Sequence, residues 1–194
     1  MSENKIIRGL TMKKEKKKLV VLFPGWNYSV DCPLLYYSDF YFETEGYDKL
    51  LIDYGDVLKN DQLTVEQRIE AIKENTLNKI QDNCSSNYED IIFVSKSIGT
   101  VIAGWVQEQL QMEIRQIFLT PLMETLPYMH SKNCIVIAGT NDERLDSKIL
   151  REYCKSNNVY LKQFEGANHS LERSSVKRSL DILDEIISVY ELIM

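Results

Sequence analysis

Five short apolar runs without polar alternation constrain this chain more than any other feature. They lie at 19–23, 50–52, 91–94, 117–119 and 135–138, with a weaker sixth at 159–161. A strand with one wet face alternates apolar and polar residues. Near-continuous runs rich in β-branched residues suit strands covered on both faces, as in a parallel sheet. Helix-period segments separate them. Thr64 with Gln67 three residues on is a capping-box signature, followed by Val65, Ile69, Ile72, Thr76 and Ile80 on one stripe. The last segment carries Val176, Leu180, Leu183, Ile187 and Tyr190 at helical spacing, with Tyr190 and Trp105 read as core. Residues 98–111 and 145–157 also predict helices, as does 33–45 before a capping Gly46. Strands alternating with helices give an α/β fold, here a three-layer α/β/α sandwich with a mostly parallel sheet and right-handed crossovers. Residues 5–12 are expected to add an antiparallel edge strand, with the Lys/Glu-rich stretch as its turn.

A length of 194 residues fits one domain spanning 1–194, with a core large enough to need no metal or disulfide staple. The formal charge of −6 is uneven, because residues 1–18 hold +5 and the remainder holds −11. An acidic body argues against nucleic acid as a partner, and the basic segment reads as a solvated turn. Lys13 to Lys18 followed by 19–23 mimics a signal peptide, but the apolar run is too short and reaches Pro24-Gly25 without a cleavage site. No stretch approaches the ~18 apolar residues of a membrane span. The four cysteines, Cys32, Cys84, Cys134 and Cys154, form no Cys-x-x-Cys pair, and only two histidines accompany them. Free thiols in a cytoplasmic protein are expected, and no metal.

In open α/β sheets ligands bind at the carboxyl ends of the strands. Those ends read Pro24-Gly25-Trp26-Asn27, Ser95-Lys96-Ser97-Ile98-Gly99, Gly139-Thr140-Asn141-Asp142-Glu143 and Glu165-Gly166-Ala167-Asn168-His169-Ser170. Three of the four deliver a serine, an aspartate and a histidine, in that chain order.

The order resembles that of the α/β-hydrolase superfamily, whose nucleophile elbow reads G-x-S-x-G and whose triad runs Ser, Asp/Glu, His. Here the elbow is Ser95-x-Ser97-x-Gly99, with serine replacing the first glycine. Asp53-Tyr54-Gly55 after 46–52 is similar to the family's second core strand, and the likeness runs from about residue 19 to the C-terminus. The resemblance implies Ser97 as nucleophile, His169 as base and Asp142 as the group orienting the imidazole. It implies an oxyanion hole made by the backbone N–H of Ile98 and of Trp26, with Asn27 as the other candidate for the second donor. Asn27, Tyr28 and Tyr36 are candidates for the substrate pocket.

Each residue also has a plainer reading. Ser97 can be a helix N-cap. Asp142 can cap the helix near Leu145, leaving Glu143 or Asp146 as the acid. The aromatic stretch over 26–47 can line an acyl pocket or serve as core and rim packing. Lys96 either packs or points outward; a Ser–Lys dyad would leave His169 unexplained. His130 reads as surface.

The expected function is a small, lidless serine hydrolase without a cofactor, cleaving a carboxylic ester or thioester through an acyl-enzyme. Only 120–133 separate the strand preceding the acid from the strand bearing it, which leaves no room for a cap domain. Amide or peptide hydrolysis uses the same triad, and a hydrolase-like protein that binds a ligand without turnover is the rival from another class. A nucleotide-binding domain is disfavoured, since G-x-G-x-x-G and G-x-x-x-x-G-K-[ST] are both absent. The sequence leaves the substrate and the oligomeric state open.

Overall fold

The structure, a computed structural model, describes residues 17–84 and 88–193. The chain runs β1 (Lys17–Phe23), α1 (Pro33–Thr44), β2 (Asp48–Leu51), α2 (Val65–Asn83), β3 (Tyr88–Lys96), α3 (Ile98–Leu110), β4 (Arg115–Leu119), β5 (Cys134–Gly139), α4 (Ser147–Ser156), β6 (Tyr160–Phe164) and α5 (Val176–Tyr190). Short 3₁₀ turns cover Gly55–Lys59, Met123–Tyr128 and Glu191–Ile193. The expected edge strand at 5–12 lies outside the described residues. Lys17 and Lys18, read as part of a basic turn, instead open β1.

All six strands are parallel, in the order β2-β1-β3-β4-β5-β6. The central runs are buried on both faces, as their lack of alternation requires: Val20, Val21, Leu22 and Phe23 are all fully buried. Alternate residues then feed two cores. Ile92 and Val94 of β3 pack with Leu35 and Phe42 of α1 and with Ile182 and Ile186 of α5. Ile91 and Phe93 pack with Ile72 of α2, Ile102 of α3 and Leu150 of α4. Three layers result, with α1 and α5 on one side and α2, α3 and α4 on the other.

Local sequence explains the helix ends. Thr64 and Gln67 form the capping box at α2, and Pro33 opens α1 where its missing N–H costs nothing. No helix among the described residues is long and apolar enough to cross a membrane.

The site is positioned by a divergence. β1 and β3 are neighbours, yet β1 leads into α1 on one face and β3 into α3 on the other. The strand ends therefore open into a crevice. Gly99, in the first turn of α3, lets that helix abut the end of β1. A Cβ there would lie 2.5 Å from the Pro24 carbonyl oxygen and 2.6 Å from that of Phe23. Backbone cannot yield as a flexible side chain does. Gly99→Ala is therefore expected to lower the urea midpoint by the equivalent of about 1–3 kcal/mol; an unchanged midpoint would mean the helix can slide off β1.

Candidate active site

Ser97 is the single residue between β3 and α3, with φ 54° and ψ −121°. That conformation mirrors the extended region; glycine adopts it freely and other residues only under strain. The surrounding bonds hold it. Ser97 N–H donates to the Leu119 carbonyl at 3.1 Å, and its own carbonyl accepts from Thr100 N–H at 2.9 Å and Thr100 Oγ1 at 2.6 Å. Ser95, where the elbow motif has glycine, is fully buried and donates through Oγ to the Ile117 carbonyl of β4 at 3.3 Å. A serine fits because the neighbouring strand satisfies its hydroxyl.

The Ser97 hydroxyl makes no capping bond to α3. It lies 2.9 Å from His169 Nε2, and His169 Nδ1 lies 2.9 and 2.8 Å from the two carboxylate oxygens of Asp142. An ionised carboxylate only accepts, so Nδ1 carries the proton and Nε2 is left as the acceptor facing Ser97. The Asp142 side chain is 2% exposed and that of His169 is 26% exposed. Asp142 also accepts from Arg144 N–H at 2.8 Å. Of the alternatives for the acid, Asp146 is the N-cap of α4, bonding Lys148 N–H and Ile149 N–H. Glu143 is exposed.

His169 and Asp142 sit on two loops locked together. Asn141 N–H donates to the Ala167 carbonyl at 2.9 Å, and Gly139 lies so close to Ala167 that a Cβ would collide with that backbone. Within the histidine loop the Asn168 side chain accepts from Ser170 N–H and Glu172 N–H.

Beside Ser97 runs the loop after β1. Gly25 N–H bonds the Tyr28 carbonyl, closing a tight turn, and a Cβ on Gly25 would sit 3.4 Å from Ser97 Cβ. The missing side chain lets this turn close beside Ser97, with Trp26 and Ser97 lining one cleft. Among the described residues, neither the Trp26 N–H nor the Ile98 N–H is taken by a hydrogen bond.

A cleft of about 690 Å³ opens over Ser97 and His169. Trp26, Asn27 and Tyr28 line one side of it. Tyr36, expected in the pocket, does not: it is 53% exposed and packs edge-on against Tyr37. Helix α1 buries Leu34, Leu35, Ser38 and Phe42, which turns Tyr36, Tyr37 and Phe40 to solvent. Other walls escaped the sequence reading. Val65 and Ile69 head the apolar stripe of α2, but they face the cleft while Ile72, Thr76 and Ile80 are buried. Leu122, Glu124 and Tyr128 come from the 120–133 crossover, anchored where Thr125 Oγ1 meets Thr100 Oγ1 at 2.6 Å. Periodicity marks these residues as apolar and does not say whether they meet core or cleft.

Lys96 points inward. It is 1% exposed, its Nζ donates to the His169 carbonyl at 2.7 Å, and it stands 5.1 Å from the centre of the Tyr28 ring. Burial lowers its pKa to about 8, against the pull of Asp142. Burial likewise raises the Tyr28 phenol to about 12.

No protein-family model and no curated protein sequence matches the chain. Solved structures do match it in three dimensions. An alpha-beta serine hydrolase homologue from Coxiella burnetii aligns with TM-score 0.65 and 12% identity, over 89% of this chain and 84% of that one. Est1E from Butyrivibrio proteoclasticus, also solved with ferulic acid bound, gives 0.66 and 12%, over 92% and 90%. An esterase from Pyrococcus furiosus gives 0.67 and 16%, over 92% and 82%. At such identities the likeness is one of fold, and the fold is that of the α/β-hydrolases.

The strain at Ser97 is measurable. Ser97→Gly removes a positive-φ penalty of about 1–3 kcal/mol, offset by roughly 0.5–1 kcal/mol of glycine entropy. A higher urea midpoint is expected; a lower one would mean that the bond to His169 outweighs the strain.

Proposed function

With the α/β-hydrolase fold as frame, we propose that this chain is a serine hydrolase cleaving a carboxylic ester or thioester through an acyl-enzyme. The reading is carried by one observation: the His169 ring bridges Ser97 Oγ at 2.9 Å and the Asp142 carboxylate at 2.8 Å. A serine hydroxyl is a poor nucleophile unless a base takes its proton during attack. Ser97 Oγ attacks the carbonyl carbon and its proton passes to His169 Nε2. The resulting imidazolium then protonates the departing alkoxide or thiolate as the carbon–oxygen or carbon–sulfur bond breaks. Water, deprotonated by the same nitrogen, releases the acid and restores Ser97. Asp142 keeps the proton on Nδ1 and stabilises the imidazolium without being protonated itself.

Charge builds on the carbonyl oxygen in each tetrahedral step. The N–H groups of Trp26 and Ile98, uncommitted to other bonds among the described residues, are the donors for it. Each such donor is worth about 3–4 kcal/mol in the transition state. The apolar faces of Trp26, Ile69 and Val101 beside Ser97 suit an acyl group. Residues 120–133 supply a short wall and no helical lid, which favours a small, solvent-accessible ester over a lipid aggregate. All four cysteines are unpaired, which supports a cytoplasmic setting. A ligand-binding protein without turnover has no need of the Ser97–His169–Asp142 row.

The test is intact-mass analysis after treatment with a fluorophosphonate. One adduct on the native protein and none on Ser97→Ala is expected; an adduct retained by the variant moves the nucleophile elsewhere, and no adduct on either favours the binding protein. Asp142→Asn should lower kcat by about three to four orders of magnitude with the fold intact. A negligible loss would remove Asp142 from the mechanism.

A further inference from the structure

Lys96 ends β3, next to Ser97. Strand alternation sends its side chain to the α1–α5 side, with Ile92 and Val94. Lysines are almost never fully buried unless paired. Yet among the described residues no carboxylate oxygen lies within ion-pair distance of its Nζ. The ammonium instead donates to the main-chain carbonyl of His169 at 2.7 Å, with the face of Tyr28 beside it. The titratable groups acting on it come from three elements: Tyr28 in the loop after β1, the Cys32 thiol at the start of α1, and Asp142 after β5. Tyr28 is neutral, so Asp142 supplies the charge that favours the ammonium.

We propose that Lys96 is the positioning residue of the base. Its ammonium pins the main chain of His169 through the 2.7 Å bond to the carbonyl, a role that rests on the hydrolase reading above. Pinning fixes where Nε2 meets Ser97 Oγ, and a displacement of about 1 Å there costs a large factor in rate. A neutral Lys96 amine still reaches the carbonyl, but a charge-assisted hydrogen bond is about twice as strong as a neutral one. Turnover is therefore expected to fall as pH rises through about 8.

Lys96→Met keeps a side chain of similar length and removes the charge. For a neutral ester, kcat is expected to drop about tenfold, with KM within about twofold and the alkaline fall gone. The His169 carbonyl carbon can be followed by NMR without any substrate. Its signal is expected to shift as pH rises through about 8 in the native protein and to lose that step in the variant. An absent step in the native protein overturns the proposal whether or not esters are hydrolysed. A step with no turnover in the native protein counts against the hydrolase reading alone.

Stability reports the same lysine titration independently of turnover. Lys96 titrates at about 8 in the fold, below the ordinary lysine value of 10.5. Between those values the unfolded chain holds more protons, so stability gained at this position rises with pH, and Lys96→Met should lose that rise. A lysine kept only for packing would lower stability on removal and leave kcat without a fall near pH 8. If the variant fails to fold, the native pH profile decides: turnover that stays flat from about pH 7 to 10 overturns the proposal.

Discussion

A chain that leaves a central strand and enters a helix within one residue must turn sharply, and here the turn falls on Ser97 at φ 54°. Everything around that residue either permits the turn or makes use of it. Gly99 lets α3 press against the end of β1, and Thr100 ties the turn to the 120–133 crossover through Thr125. Ser95 fills the place of a missing glycine by spending its hydroxyl on β4. The strain lifts the Ser97 side chain clear of both strand and helix, which is where His169 finds it.

His169 is held by a different principle. Its loop is stitched internally by Asn168 and joined to the aspartate loop by the close passage of Gly139 and Ala167. Lys96 fastens it from below through the His169 carbonyl. The serine is thus held in its strained turn by bonds from Leu119 and Thr100, and the histidine by hydrogen bonds from its neighbours, Lys96 linking the two.

What the sequence makes legible follows the range of the forces involved. Strands buried on both faces, the Thr64–Gln67 cap and the strand-end positions of Ser97, Asp142 and His169 depend on local pattern, and all can be read from it. Tyr36 cannot. Its place on α1 is plain, but which side of α1 meets the sheet is decided by Leu35 and Phe42 reaching the second core. Val65 and Ile69 head a stripe whose later members are buried, and it is the placement of the first turns of α2 at the cleft that leaves these two lining it. Lys96 did carry a signal. Counting by twos from Ile92 and Val94 puts it on the buried side, against the expectation that charge alone suggests.

The Ser97–His169–Asp142 row and most of the cleft walls belong to separate parts of the chain. Ser97, Asp142 and His169 sit where strands end, fixed by the sheet. The walls come from the start of α2, from the 120–133 crossover and from the side chains of Trp26 and Asn27. Changes in those walls need not pass through the reacting atoms. Under the proposed hydrolase reading, a lineage carrying this scaffold can exchange one acyl group for another by small steps on its crossovers, while the Ser97–His169–Asp142 row is inherited intact.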